Sequence, residues 1–238
     1  MIQESNILKL NTEFEKSSAV ALSQWALKNF FPKIALASSF GAEDVVLVDI
    51  LVKLEPKIRV FTLDTGRLNE ETYEVMDKVR RKYSIQIESY FPDSQKVEKL
   101  EREKGFYSFR ESIENRKECC GIRKVEPLNR ALKGLEAWFT GIRREQSVTR
   151  TTIQKIEKDE THEGLIKINP LADWSEEDVW NYIKKNGVPY NRLHDQGYRS
   201  IGCSPCTRAV KPGEDVRAGR WWWESEEHKE CGIHLPKK

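Results

Sequence analysis

A chain of 238 residues can bury a sizeable core, and its 40 Lys and Arg against 38 Asp and Glu leave a formal net charge of only +2. That balance argues against a bulk nucleic-acid or membrane-surface binder, and no run approaches the ~18 apolar residues of a membrane span. The start, Met1-Ile2-Gln3-Glu4-Ser5-Asn6, has neither the charged head nor the apolar stretch of a secretory signal, so a cytoplasmic protein with reduced thiols is expected.

In chain order, apolar residues at helical spacing (Ala19, Leu22, Trp25, Ala26, Phe30) predict a helix over 17–30, which Pro32 ends. A short apolar run at 34–38 reads as a strand leading into a polar turn, and 44–54 reads as a helix apolar on most sides. A strand at 58–63, a helix at 70–83 and a strand at 85–88 follow. This alternation predicts an α/β fold, Rossmann-like, with a mostly parallel sheet and helices on both faces. The stretch 93–117 is highly charged and is expected to be helical and partly exposed. A helix at 125–132 and a strand at 136–140 come next, then a hairpin over 153–168 around the turn-rich segment from Asp159 to Gly164. Ser175-Glu176-Glu177-Asp178 opens a helix running to about 185. From Gly187 onward glycine, proline and arginine predict irregular structure. The expected organisation is one α/β domain over 1–224, with a tail over 225–238 that carries Cys231.

Five cysteines stand out: the adjacent Cys119-Cys120, Cys203-Ser204-Pro205-Cys206, and Cys231 near the end. An odd count in a reducing compartment favours metal ligation or catalysis over a disulfide framework. A Cys-x-x-Cys loop lets two sulfurs reach one metal site, as in zinc and iron–sulfur proteins. Adjacent cysteines are awkward around one tetrahedral zinc and easier around a cubane, where each sulfur takes a different iron. Buried small residues and a thioredoxin-like redox pair are the plainer alternatives. Cys231 has no partner at ligand spacing. Lys229 and His234 near it favour the nucleophilic thiolate, and a terminal segment is mobile by default.

Two polar strand exits fall on the carboxyl edge of the predicted sheet, where open α/β folds bind ligands. The first is Ser38-Ser39-Phe40-Gly41-Ala42-Glu43-Asp44, where a helix start and two hydroxyls offer donors to phosphate or sulfate. The second is Leu63-Asp64-Thr65-Gly66-Arg67. Basic residues gather at Arg123-Lys124, Arg143-Arg144, Arg150, and Arg217 with Arg220. Their guanidinium forks match phosphate and sulfate oxygens, although a solvated surface is the usual fate of such residues. Of Trp221-Trp222-Trp223, at least two are expected to pack into the irregular C-terminal region.

Taken together, these segments resemble the assimilatory sulfonucleotide reductases of the iron–sulfur type. The resemblance runs in order from about 38 to the end, through 39–44, 63–67, 117–124, 140–147, 201–206, 213–224 and Glu230-Cys231-Gly232-Ile233-His234. It implies an adenine-nucleotide α-hydrolase fold and a modified PP-loop at 39–44, with Ala42 and Val45 where the pyrophosphate-binding form has glycine and serine. It also implies a [4Fe–4S] cluster on Cys119, Cys120, Cys203 and Cys206. The substrate, adenosine 5′-phosphosulfate, would contact Ser38, Ser39, Phe40, Gly41 and Asp44. The exit Leu63 to Gly66, with Leu63, Thr65 and Gly66, would take the adenosine, Arg67 would contact the substrate, and Lys124, Arg143, Arg217 and Arg220 the phosphosulfate. Cys231 would be the catalytic nucleophile, forming an S-sulfocysteine in sulfate assimilation and cysteine biosynthesis.

A separate thioredoxin would be the transient partner, because this chain ends at Lys238 where the plant-type enzyme continues into a thioredoxin-like domain. No nucleic-acid or membrane partner is expected, and a homo-oligomer is compatible with the sequence. Three other readings compete. The first is a reductase of the 3′-phosphorylated nucleotide or of both substrates, although members restricted to that nucleotide generally lack the cysteine pair and the Cys-x-x-Cys. The second is a PP-loop tRNA thiolase, which would need the intact pyrophosphate loop. The third is a non-catalytic metal sensor, which would leave Cys231 unused.

Overall fold

The computed structural model describes residues 4–147 and 150–225. In chain order the elements are α1 (Glu4–Phe14), α2 (Ala19–Phe30), β1 (Ile34–Ala37), α3 (Ala42–Leu54), β2 (Arg59–Leu63), α4 (Glu70–Tyr83), β3 (Ile87–Tyr90) and α5 (Ser94–Lys104). Then come α6 (Ile113–Cys120), a π-helical turn (Gly121–Val125), α7 (Glu126–Leu132), β4 (Ala137–Phe139), β5 (Ile156–Asp159), β6 (Leu165–Ile168) and α8 (Glu176–Asn186). The chain divides into two compact units interleaved in sequence. The first comprises Met1–Thr62, Thr72–Glu88 and Gly134–Asn191; the second comprises Leu63–Glu71, Ser89–Lys133 and Arg192–Lys238. The span 1–224 therefore contributes to both units, and Ser225 is the one described residue of 225–238.

One six-stranded sheet, in the order β3-β2-β1-β4-β6-β5, organises the first unit. β1 pairs in parallel with β2 and β4, β4 pairs in parallel with β6, and the β5–β6 hairpin is antiparallel. The fold is thus the mostly parallel α/β architecture the sequence predicts. Parallel strands buried on both faces read as continuous apolar runs, and Ile34, Ala35 and Leu36 of β1 and Ala137, Trp138 and Phe139 of β4 are all fully buried. α3 is apolar nearly all round because it is enclosed: Val45, Val46, Leu47, Val48, Ile50 and Leu51 are each at most 2 % exposed. Burial of such side chains contributes about 1.5–3 kcal/mol each.

Several boundaries differ from the sequence reading for local reasons. α1, absent from the sequence reading, carries Ile7, Leu10 and Phe14 at helical spacing, with Ile7 and Phe14 buried, and is also held through tertiary pairing. Asn11 donates to the Ile156 carbonyl at 2.8 Å and accepts from the Ile156 amide at 2.9 Å. β3 begins two residues later than expected, since Ser84, at φ +53°, turns the chain out of α4 and the Ile85 amide still bonds back to Arg80. The charged stretch 93–117 is two helices rather than one. Gly105 at φ +84° ends α5, and the Ser112 hydroxyl caps α6 by accepting from the Asn115 amide. Among the described residues no helix is long and apolar enough to cross a membrane.

Candidate functional site

In the first unit the strand order reverses at β1, whose carboxyl end lies beside that of β4, the position where open α/β sheets bind ligands. The turn from Ser38 to Gly41 sits there. Phe40 holds the left-handed conformation at φ +57°, uncommon for a side chain of this size and characteristic of constrained sites. Asp44, in the first turn of α3, closes the turn by accepting from the Ser39 amide at 2.5 Å and the Ser39 hydroxyl at 2.7 Å. The Ser38 hydroxyl accepts from the Phe40 amide at 3.2 Å. The donors of Ser39 and the Phe40 amide, expected to face an anion, are thus engaged within the turn itself. Burial pushes the Asp44 carboxyl up to about 6 despite the Ser39 bonds, with the neighbouring Glu43 adding to the effect.

Gly141, just after β4, belongs to the same arrangement. A Cβ there would collide with Asp44 Oδ1 and stand 3.2 Å from the Asp44 amide nitrogen. Arg143 is buried, and its guanidinium is held by Glu43 at 2.9 Å and by the Trp174 carbonyl at 3.2 Å. The arginine expected at the phosphosulfate therefore carries a carboxylate partner from the first turn of α3.

The second unit gathers the four described cysteines. Cys119, Cys120, Cys203 and Cys206 line one cavity of about 380 Å³, continuous with solvent, together with Arg67, Arg116, Arg123, Lys124, Arg220 and the rings of Phe109 and Trp221. The local sequence explains how they meet. α6 delivers the cysteine pair, and its continuation as a π-helical turn, with the Glu126 amide bonding to the Gly121 carbonyl, re-aims Arg123 and Lys124. Such bulges recur at functional sites. Cys203 and Cys206 flank a single 3₁₀ turn whose Ser204 amide donates to the Arg67 carbonyl at 2.7 Å. Gly202 leaves room for the Arg220 guanidinium, which a Cβ would strike.

Among the described residues no three His, Cys, Asp or Glu side chains are grouped as ligands of a metal ion. The four thiols line one cavity, a donor set of the kind that holds a tetrahedral metal or a metal–sulfur cage. Two buried donors, Arg123 Nε and Arg220 Nε, have no hydrogen-bond partner, which fits a cavity built around an acceptor-rich group.

Charge in this cavity is partly compensated. Glu101 accepts from Arg67 at 2.8 Å and from Arg123 at 2.6 Å, while Glu224 holds Arg116 through two bonds of 2.9 and 2.7 Å. Arg123 also donates to the Thr65 carbonyl at 2.7 Å, across Gly66, whose φ of +70° favours glycine. Arg116, Arg217 and Arg220 stand 4.9, 6.0 and 4.7 Å from the Trp221 ring centre. Burial pushes the Cys203 thiol up, but Lys124, a 3.2 Å bond with the Thr65 hydroxyl, Arg220 and Arg123 outweigh it and hold the group below the ordinary thiol value. Burial dominates at Cys119, which is raised, and at Cys206, which is pushed up to about 12 with Cys203 adding to the effect.

The expected residues therefore fall into two sets. Ser38, Ser39, Phe40, Gly41, Asp44 and Arg143 belong to the first unit; Leu63, Thr65, Gly66, Arg67, Lys124, Arg217, Arg220 and the four cysteines belong to the second. Thr65 and Arg67, both expected at the substrate, contact Cys203, Ser204, Arg123, Glu101 and the Phe109 ring. Cys231 lies outside the described residues. Two of the three tryptophans pack: Trp221 is fully buried and Trp223 rests on Leu100, Phe109 and Cys119. Arg116, Glu101 and Glu224 were not foreseen. Arg116 and Glu224 stand beside the cysteine pair and the tryptophan run, which says nothing of their pairing across 108 residues, and Glu101 has no such neighbour in sequence.

This architecture defines a nucleotide-type α/β protein with a cysteine-lined, cationic cavity. The chain belongs to the phosphoadenosine phosphosulfate reductase domain family, whose profile matches residues 33–209, and it is an oxidoreductase. It is 54 % identical over 203 residues to the adenosine 5′-phosphosulfate reductase of Burkholderia cepacia, covering 85 % of this chain and 81 % of that one. It is 46 % identical over 239 residues to the protein of that name from Pseudomonas aeruginosa, covering 98 % and 88 %. The crystal structure of phosphoadenylyl-sulfate (PAPS) reductase from Candida auris, a phosphate complex, superposes with a TM-score of 0.75 at 31 % identity, covering 88 % of this chain and 98 % of that one.

Proposed function

We propose that this protein reduces adenosine 5′-phosphosulfate to sulfite and AMP in sulfate assimilation, with Cys231 as nucleophile and thioredoxin as reductant. The observation that carries the reading is the meeting of Cys119, Cys120, Cys203 and Cys206 around one cationic cavity, from segments far apart in sequence. Relatives 54 % and 46 % identical bear the name of the unphosphorylated substrate's reductase, which supports that substrate over the 3′-phosphorylated one.

In this reading the Cys231 thiolate attacks the sulfate sulfur. The bond from sulfur to the bridging oxygen breaks, and AMP leaves with the electron pair on its phosphate. The developing anion calls for fixed cations, which Lys124, Arg217 and Arg220 of the second unit would supply. A thioredoxin thiol then attacks Cys231 Sγ and sulfite departs. The four cavity cysteines would hold a [4Fe–4S] cluster, which would supply a structural and electrostatic frame while the electrons come from thiols. Arg67 and Arg123, braced by Glu101, keep positive charge beside those sulfurs. Lys124, drawn into the same cavity by the π-helical turn, tunes the anion's charge.

The test is sulfite release by anaerobically purified protein with thioredoxin, offered adenosine 5′-phosphosulfate and its 3′-phosphorylated analogue in parallel. Turnover of the first, abolished in Cys231→Ser, is expected. Faster turnover of the second would make it a reductase of the phosphorylated nucleotide. Absence of sulfite from both, with iron and sulfide bound, would leave a sensor.

A further inference from the structure

The second unit exposes an aromatic patch. Phe106 and Tyr107 are 66 and 60 % exposed and Trp222 is 38 % exposed, although large apolar side chains of this kind usually pack inside. Arg110 joins them. Its guanidinium carbon stands 5.0 Å from the Tyr107 ring centre, 5.4 Å from that of Trp222 and 5.3 Å from that of Trp223. Arg110 also donates to the Pro205 carbonyl at 3.0 Å, inside the Cys-Ser-Pro-Cys turn. The patch is therefore continuous with the rim of the cysteine cavity, and its central cation is held in place by five groups of its own unit, the Phe109 ring at 5.8 Å being the fifth.

We infer that Phe106, Tyr107, Arg110 and Trp222 form the docking surface for the dithiol protein that reduces Cys231, an inference that rests on the function proposed above. Tyr, Trp and Arg are the residue types that concentrate binding energy at protein interfaces, and Arg110 is already ordered, which lowers the entropy lost on docking. Chain length selects the occupant. Cys231 is the sixth residue after Ser225 and the ninth after Trp222. Six residues span at most about 22 Å, so the Cα of Cys231 stays within that radius of the Ser225 Cα, and its sulfur within one side-chain length more. A protein whose thiol reaches Cys231 must sit near the root of this segment, where the patch is.

The chemistry balances. One partner thiolate attacks Cys231 Sγ, the bond to the sulfo group breaks and sulfite leaves with the electron pair. The second partner thiol gives up its proton and attacks the mixed disulfide, Cys231 departs as thiolate, and the partner ends as a disulfide.

The test compares the holoenzyme with Phe106→Ser/Tyr107→Ser and, separately, Trp222→Gln, using thioredoxin or dithiothreitol as reductant. The expected result is a KM for thioredoxin at least tenfold higher. Dithiothreitol-supported sulfite release, and single-turnover formation of the +80 Da adduct (roughly the mass of a sulfo group) on Cys231 by mass spectrometry, would stay within twofold. A thioredoxin KM within twofold of the parent in both variants would overturn the inference. So would slower adduct formation with unchanged KM, which would make the patch a seat for the tail, or a change of mass in sedimentation velocity with unchanged KM, which would make it a contact between copies. If the parent protein itself forms no adduct on Cys231, the functional reading fails first and the docking inference falls with it.

Discussion

Replacement of Glu224 by leucine is the sharpest perturbation the second unit offers. Arg116 is 0 % and Glu224 4 % exposed as side chains, the two are joined by bonds of 2.9 and 2.7 Å, and the Trp221 ring covers the guanidinium at 4.9 Å. Water reaches neither ion. Glu224→Leu would strand a buried cation, at a cost of about 3–5 kcal/mol, and Arg116→Met would strand a buried carboxylate at a similar cost. Replacing both charges with apolar groups of similar volume removes the desolvation penalty along with the attraction. The double variant is therefore expected within about 1 kcal/mol of the parent, or above it, giving a coupling energy of at least about 5 kcal/mol. The assay is anaerobic urea unfolding followed by tryptophan fluorescence. With a slope near 2–3 kcal/mol per molar, Glu224→Leu lowers the midpoint by roughly 1 M or more. Iron content is followed in parallel because Arg116 also lines the cysteine cavity. A single-variant cost under about 1 kcal/mol, or a double variant as unstable as the two singles summed, would refute the reasoning.

Asp44 gives a pH signature. Its folded value of about 6 lies above its ordinary 3.8, so its favourable contribution is complete below pH ~4 and is lost as pH rises through 6. The full effect is about 3 kcal/mol, so Asp44→Asn should be more stable than the parent by up to that amount at pH 8 and by about half as much at pH 5. A pH-independent difference in urea midpoints would show that the buried carboxylate costs nothing. Gly141→Ala drives a methyl group into Asp44 and should cost about 1–3 kcal/mol while weakening nucleotide binding; an unchanged melting temperature and affinity would mean the turn yields freely. Serine at any one of Cys119, Cys120, Cys203 or Cys206 should lower iron and acid-labile sulfide content at least severalfold, with the visible absorption falling in step. Retention of full iron by all four variants would remove these residues from the metal site.

Helices α2, α4 and α8 were legible because their information is local. Ser18 caps α2 and Ser175 caps α8, the apolar spacing is helical, and α4 occupies the predicted 70–83 without adjustment. α1 went unread although Ile7, Leu10 and Phe14 fall at helical spacing; its other anchor, Asn11 against the backbone of β5, lies 145 residues away and leaves no local signal. The split of 93–117 depended on Gly105 taking a positive φ, which its identity permits and does not require. The same division runs through the candidate site. The spacing of Cys119-Cys120 and Cys203-Ser204-Pro205-Cys206 and the order of the surrounding motifs were enough to indicate the reductase family, because motif order survives without coordinates. Spacing could not assign partners to charges. Only the folded chain brings Glu43 onto Arg143, Glu101 onto both Arg67 and Arg123, and Glu224 onto Arg116. Linear sequence determines which residues can ligate, cap or carry charge, since those are properties of side chains. Which cation is neutralised and which sulfur is buried depend on distance and desolvation, and both are set by contacts between segments remote in the chain.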